Sequence, residues 1–296
     1  MTESQRYRVL DLRPSDGEAI KPSELIQITG HQSLSLYARR AITILWHNAH
    51  EQGIQPGRLY SIELSRLRSD QHRGLGVVED AIESLMTTLI ITKLADGRTR
   101  RVQFLGGNDM DDPDRPAGTL RYSFDPLLIE ILRDSEVWGK IALPVLMSFS
   151  SKYSVSLYEN VSQWLGLTHK TIHDVSLDGF RDMLGVEEGK YEAFGALNKH
   201  VIKPVVDEIN ALAPFGITVV PVKDGRRVAR IRIGWWQKSA DELREAYAEA
   251  DRPKIGRRSR ISGRVEYVSP MASVFKAGQQ ARLERRRSVV VDNDVE

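Results

Sequence analysis

The sequence predicts an α+β, mainly helical fold: two tandem winged helix-turn-helix domains followed by a basic, disordered C-terminal tail. Three observations predict it. Across Lys190–Asn210, Tyr191, Phe194, Leu197, Val201, Ile202, Val205 and Ile209 recur at three- and four-residue spacing, so one arc of a helix is apolar. Beyond it, Ile217, Val219 and Pro221, then Val228, Arg230 and Arg232, form two short strands joined at Asp224-Gly225, a hairpin signal. The same order occurs earlier without sequence repetition: an apolar helical pattern from Leu75, then strand-like TKLADGRTRRVQFL with Asp96-Gly97 at its turn.

At 296 residues the chain exceeds one typical domain. It contains no cysteine, which excludes disulfides, cysteine-ligated zinc and thiol nucleophiles and suits a reducing compartment. No apolar run is long enough to span a bilayer, and MTESQRYRVLDLRPSD lacks an apolar signal core, so a soluble, cytoplasmic protein with no membrane partner is expected. The net charge of +2 argues against a generic polycation, and distribution matters more than the total. From Arg252 to Arg287, eleven Lys and Arg stand against only Glu266 and Glu284, the composition of a disordered tail.

Residues 1–24 are polar, carry Pro14 and Pro22, and read as an N-terminal arm. Leu34, Tyr37, Ala41, Ile44, Leu45 and Asn48 predict a core helix over Ser33–His50, capped by Ser33 and ended by Gly53, Pro56 and Gly57. A short segment at Leu59–Ile62 leads into ELSRLRSD, the first helix of a helix-turn-helix. The second helix runs over Leu75–Ile91, with Val78, Ile82, Leu85 and Leu89 on one face and Glu79, Asp80, Glu83, Thr87 and Thr88 elsewhere. Strand TLRYSF and helix DPLLIEILRD, with Pro126 in a tolerated first-turn position, complete a first domain at 25–135.

The boundary falls at 134–140, which gives a second domain at 136–238 and a tail at 239–296. GKIALPVLMSFSSKYSVSLYENVSQWLGL reads as a helix pair and THKTIHDV as a loop. Ser176 caps the helix LDGFRDMLG, Gly185 stops it, and VEEGK turns into the long helix. Pro204 removes a hydrogen bond from that helix, which implies either a bend or two consecutive short helices.

The polar face of the long helix carries Lys199, His200 and Lys203, with Lys190 at its start; the hairpin displays Lys223, Arg226, Arg227, Arg230 and Arg232. A helix fits the major groove and a basic hairpin beside it reaches flanking phosphates, so the pair suits double-stranded DNA; ordinary solvated faces are the alternative. In the first domain, Arg68, His72 and Arg73 near the helix start and Arg98, Arg100 and Arg101 in the wing are candidate backbone contacts. Glu79, Asp80 and Glu83 repel phosphates there, which makes the second domain the principal reader.

Enzyme signals are weak. No GxxxxGK[ST] loop occurs, and Gly74-Leu75-Gly76 is half a dinucleotide fingerprint. The pairs His47/His50 and His169/His173 lack a third ligand, and no strand carries the alternating histidines of a nicking enzyme. Asp109, Asp111, Asp112 and Asp114, interrupted by Pro113, read as a solvated loop rather than a calcium site. Trp235 and Trp236 read as sheet packing, with base stacking the sharper alternative. No catalytic role, cofactor or metal is therefore expected.

SLDGFRDMLGV at 176–186, then YEAF, HVIKPVVDEIN and the GRRV hairpin, resembles the second winged-helix domain of the plasmid replication initiator proteins, the Rep_3 superfamily. SLYENVSQWL is similar to the family's amphipathic core helix, and Pro204 matches a proline of the family. The resemblance stops short of the N-terminus and of the tail. It implies monomers bound to direct repeats (iterons) at a plasmid origin, strand opening, and recruitment of a host initiator and replicative helicase. It also implies a homodimer, formed through the first domain, that represses its own gene. The rival readings are a winged-helix repressor without origin activity, a scaffold for an acidic partner, and a DNA-nicking enzyme.

Overall fold

The computed structural model describes residues 16–27, 32–68, 76–93, 97–111, 118–133, 135, 137–166 and 171–262. Its first half runs β1 (Glu18–Pro22), α1 (Ser23–Ile26), α2 (Leu36–Glu51), β2 (Tyr60–Glu63), α3 (Leu64–Leu67), α4 (Gly76–Thr87), β3 (Leu89–Lys93) and β4 (Thr99–Gln103). Three further elements follow: β5 (Leu105–Met110), β6 (Thr119–Phe124) and α5 (Pro126–Arg133). The second half repeats the opening order with β7 (Trp138–Ala142), α6 (Leu143–Ser148), α7 (Lys152–Trp164), β8 (Ile172–Ser176) and α8 (Leu177–Leu184). It continues through α9 (Phe194–Leu197), a π-turn (Asn198–Ile202), α10 (Lys203–Leu212), β9 (Phe215–Asp224) and β10 (Arg227–Gln237). α11 (Ala240–Asp251) closes this compact unit, and α12 (Arg257–Ile261) belongs to a separate unit that begins at Pro253. No helix among the described residues is long and apolar enough to cross a membrane.

The two halves meet along their first strands. β1 and β7 pair antiparallel, from Glu18 opposite Ala142 to Pro22 opposite Trp138, and Ala19, Ile20 and Ile141 are fully buried. Residues 18–26 are thus a strand and a helical turn inside the fold, although the sequence placed 18–24 in an arm. Its polar look misleads because Lys21 is buried as a partner rather than exposed. The Lys21 ammonium lies 2.8 and 2.9 Å from the two carboxylate oxygens of Glu159, and Thr43 donates to the same carboxylate at 2.8 Å.

Helices α2 and α7 carry that junction, and both are buried on every side: Ala38–Ala49 in one and Ser154–Trp164 in the other. Apolar stripes alone cannot account for this, because Arg39, Arg40, Thr43, Glu159 and Asn160 are among the buried residues. The Arg40 guanidinium donates to the carbonyls of Leu146 (3.3 Å) and Met147 (2.9 Å), and Arg39 donates to that of Leu184 (3.2 Å) and to the Ser156 hydroxyl. Arg39, Arg40 and Thr43 of α2 thus bond groups of the second half, and the junction is in part a hydrogen-bonded core.

Each half keeps its own apolar core. Trp46, Tyr60, Tyr122 and Phe124 pack together in the first, with Trp46 edge-on to Phe124 at 5.6 Å. In the second, Tyr158 stacks on Phe215 at 5.5 Å and Trp164 lies against Trp235. The sheets are β2-β6-β5, β3-β4 and β8-β10-β9, all antiparallel.

Several local expectations shift. The α2 cap is Ser35, whose hydroxyl accepts from the Ala38 amide, and not Ser33. Helix α4 ends at Thr87, whose hydroxyl bonds back to the Glu83 carbonyl; the β-branched run after it continues as β3, so Leu89 is a strand residue and 43% exposed. Asp109 sits on β5, paired with Arg121 at 3.1 Å, and Asp111 accepts from the Thr119 amide and hydroxyl, so this stretch is a hairpin; Asp112 and Asp114 lie outside the described residues. Residues 172–175, read as a loop, form edge strand β8 together with Ser176. Residues 239–251 are not tail: Ser239 and Glu242 form a reciprocal capping box that starts α11.

Candidate nucleic-acid interface

Helix α8 is defined at both ends by the residues the sequence suggests. The Ser176 hydroxyl accepts from the Gly179 amide at 3.0 Å, and Gly185 ends the helix at φ 67°. After the turn, the chain does not enter a helix at Lys190. Tyr191 has a left-handed backbone, φ 53°, and helical hydrogen bonding begins only where Ala196 and Leu197 donate to the Ala193 carbonyl. Left-handed φ disfavours a bulky residue by on the order of 1–3 kcal/mol, so something must hold it. Arg181 of α8 donates to the carbonyls of both Tyr191 (2.9 Å) and Lys190. Tyr191 is therefore half-buried ahead of the helix, although its spacing matches the apolar arc. Lys190 is likewise off the helix, with its ammonium 2.5 Å from Glu187.

The helix then runs to Leu212 with one irregularity. Lys203 N–H bonds the carbonyl of Asn198, five residues back, in the π-turn. The cause is Pro204, which cannot donate and whose ring crowds the carbonyl four residues before it, that of His200; a wider turn relieves both. The result is one continuous helical path rather than two helices. Leu197, Val201, Ile202, Val205, Ile209 and Leu212 are buried, while Asn198, Lys199, His200 and Lys203 are exposed.

Two contacts fix this helix from below. Glu208, 6% exposed, accepts from both the amide and the hydroxyl of Ser150 at 2.6 Å. At the far end the Lys238 ammonium donates to the carbonyls of Asn210 (2.5 Å) and Ala213 (2.7 Å), satisfying acceptors that the helix leaves over. Burial lowers the pKa of Lys238.

Strands β9 and β10 form a long hairpin closed by Gly225-Arg226, with Asp224 opposite Arg227. Gly225 has φ 57°, the first position of a two-residue turn whose twist matches the strands. Lys223, Arg226 and Arg227 are exposed around this tip. Arg230 and Arg232 lie further down, on the outer face of the sheet. Arg232 is committed there: its guanidinium makes two bonds to Asp174 of β8, at 2.8 and 2.7 Å, and so holds the Asp174 carboxyl below its usual range. Trp235 is buried, but Trp236 is 42% exposed, its ring lying over Gly216 with no room for a Cβ beneath it.

In the first half, α4 exposes Glu79, Asp80, Glu83 and Thr87. Arg98 and Arg101 are exposed on the β3–β4 hairpin, where Gly97 has φ 84°, while Arg100 is paired with Glu130 at 3.1 Å. Arg68 is exposed at the end of α3; His72, Arg73, Asp96 and His169 lie outside the described residues. Among the described residues no cluster of three or more His, Asp or Glu is placed to hold a metal. Lys199, Lys203, Lys223, Arg226 and Arg227 make no ion pair among the described residues, in contrast to Lys190, Arg100 and Arg232. Sequence reasoning passed over Arg181, Asp174 and Glu187, which hold the site together, and Asn198, an exposed amide directly before Lys199.

Two family models match the chain: "Initiator Replication protein, WH1" over residues 18–162, opening at the first residue of β1, and "Initiator Rep protein, WH2" over residues 176–235. The chain belongs to the plasmid replication initiator family, Rep_3. A "Replication initiation protein" of Escherichia coli is 35% identical to this chain over 102 residues, an alignment spanning 34% of this chain and 32% of that relative. The match thus spans about a third of the curated relative's length. The crystal structure of Pi initiator protein in complex with iteron DNA has the same fold, with a TM-score of 0.58 at 17% identity, covering 75% of this chain and 98% of that chain. Two tandem winged-helix domains are thus the architecture of this chain, and α11 lies beyond the matched region.

Proposed function

We propose that this initiator starts plasmid replication by binding directly repeated sites at an origin as double-stranded DNA, with the second winged helix as principal reader. The observation that carries the reading is the set of exposed cations, Lys199, Lys203, Lys223, Arg226 and Arg227, without an ion pair among the described residues. They sit on a helix and on a hairpin that pack together. Lys199, His200 and Lys203 face base edges, and Lys223, Arg226 and Arg227 lie along phosphates. Arg230 supports the backbone contact, whereas Arg232 and Lys190 act by holding β8 and the turn. Arg68, His72, Arg73, Arg98 and Arg101 of the first domain supply auxiliary contacts, with Arg100 braced on α5. Two similar proteins support this assignment: the Escherichia coli relative is a replication initiation protein, and the Pi initiator was crystallised with iteron DNA.

The same proposal includes a first domain, residues 25–135, that serves dimerisation, monomers at the origin repeats, dimers repressing the initiator's own gene, and recruitment of a host initiator and helicase. Fluorescence anisotropy on DNA flanking its own gene, against scrambled DNA of equal length at several salt concentrations, tests the reader. Much tighter binding to the native repeats near physiological salt is expected. Equal binding with a steep salt slope would reduce the site to an electrostatic surface. A plasmid maintenance assay of the same repeats then separates origin activity from repression alone.

A further inference from the structure

Tyr191 is the one non-glycine residue with positive φ among the described residues, and it stands at the entrance to the reader helix. Asparagine or glycine would accept φ 53° with less strain than an aromatic residue. The ring therefore does something that a backbone-compatible side chain could not. It stacks on the imidazole of His200, with centroids 5.9 Å apart and planes 23° from parallel. Three features build this pair. Arg181 grips the carbonyls of Lys190 and Tyr191 and pins the unusual backbone to α8. The π-turn widens the helix where His200 leaves it, so that Asn198, Lys199 and His200 are exposed in succession. His200 itself is exposed, so the stack holds it without hiding it.

We propose that Tyr191 is a positioning residue that fixes the His200 ring in one orientation for contact with a base edge. This rests on the DNA-reading assignment above and deepens it. An exposed imidazole on a bare helix must be ordered when DNA binds, and ordering a side chain in advance is worth about two- to tenfold in affinity. The stack takes that ordering into the free protein. Tyr191→Phe keeps the ring and binds as wild type, whereas Tyr191→Asn keeps the backbone and loses the stack.

The test uses the full chain and a duplex that the wild-type protein selects from a random-sequence library. Affinities of Tyr191→Phe, Tyr191→Asn, His200→Ala and the double variant that combines Tyr191→Asn with His200→Ala are measured by anisotropy, together with each Tm and a panel of singly substituted duplexes. Tyr191→Asn and His200→Ala should each weaken binding by about two- to tenfold, the double variant should be no weaker than the singles, and both losses should map to the same base pair. Should Tyr191→Asn lower Tm, Tyr191→Gly accepts the same φ and replaces it in the cycle. Multiplying losses, or wild-type binding by His200→Ala while Lys199→Ala and Lys203→Ala weaken binding, would overturn the positioning role alone. Wild-type binding by the lysine variants as well would overturn the reader assignment with it.

Discussion

The two winged helices share an element order and present opposite charges. Helix α4 exposes Glu79, Asp80 and Glu83, while the helix from Phe194 to Leu212 exposes Lys199, His200 and Lys203. Their hairpins differ as well: β3 and β4 have five residues each, β9 and β10 ten and eleven. The first helix is regular, whereas the second contains a π-turn and follows a strained tyrosine. One architecture thus supports different surfaces, because the buried arc defines the fold and leaves the outer face open to change.

The comparison depends on the halves acting as one body, and the largest expected effect breaks that. Glu159→Ala leaves Lys21 buried without a partner and should cost about 3–5 kcal/mol in urea unfolding, with Lys21→Met in the same chain recovering much of it. An unchanged unfolding midpoint would show that the junction does not hold the halves. Next in size, Lys199→Ala or Lys203→Ala should weaken specific binding by about 1–3 kcal/mol, with the loss concentrated at particular base pairs, while Arg101→Ala in the first domain should weaken all sequences alike. Equal, sequence-independent losses in both domains would erase the contrast. Smaller again, Arg226→Ala or Arg227→Ala should lower the slope of log affinity against log salt by about one each, without altering base preference.

The smallest effect concerns the turn that leads to the reader helix. Hydrogen bonds from Lys190 and then Lys152 pull the Glu187 carboxyl from its ordinary 4.5 down to about 2. A carboxylate depressed on folding stabilises above its unfolded pKa and loses that contribution as pH falls through the folded value. The Tm difference between wild type and Glu187→Gln should therefore be present at neutral pH and shrink from about pH 4.5 towards 2. A difference constant across that range would assign the effect to packing instead.

Much of the fold was legible where a residue type performs a local task. Ser176 and Gly185 bound α8, Gly97 and Gly225 take the positive φ of the two hairpins, and the arc from Leu197 to Ile209 is buried as spaced. Long-range pairing was not legible. EAIKP is too short to show alternation, and its partner strand begins at Trp138, so neither β1 nor the buried roles of Lys21 and Glu159 could be read locally. Tyr191 satisfied the helical period by coincidence, because periodicity is blind to a left-handed residue imposed by Arg181. The S-x-x-E signal of α11 was present at Ser239 and Glu242, but these residues were placed in the tail together with the basic run that begins only at Arg252. At the site, residue type identified the cations; only their neighbours tell which are committed, as Arg232 is to Asp174.

The pairing of β1 with β7 bears on synthesis. The opening strand leaves the ribosome about 120 residues before its partner, which at roughly 5–20 residues per second is a wait of about 6–24 seconds. Throughout that interval Ala19 and Ile20 have no sheet to enter, and the strand offers unpaired backbone to any neighbouring nascent chain. Polysomes crowded on one message would bring such strands together, so the order of emergence gives this chain a period of aggregation risk that ends only when its second half arrives.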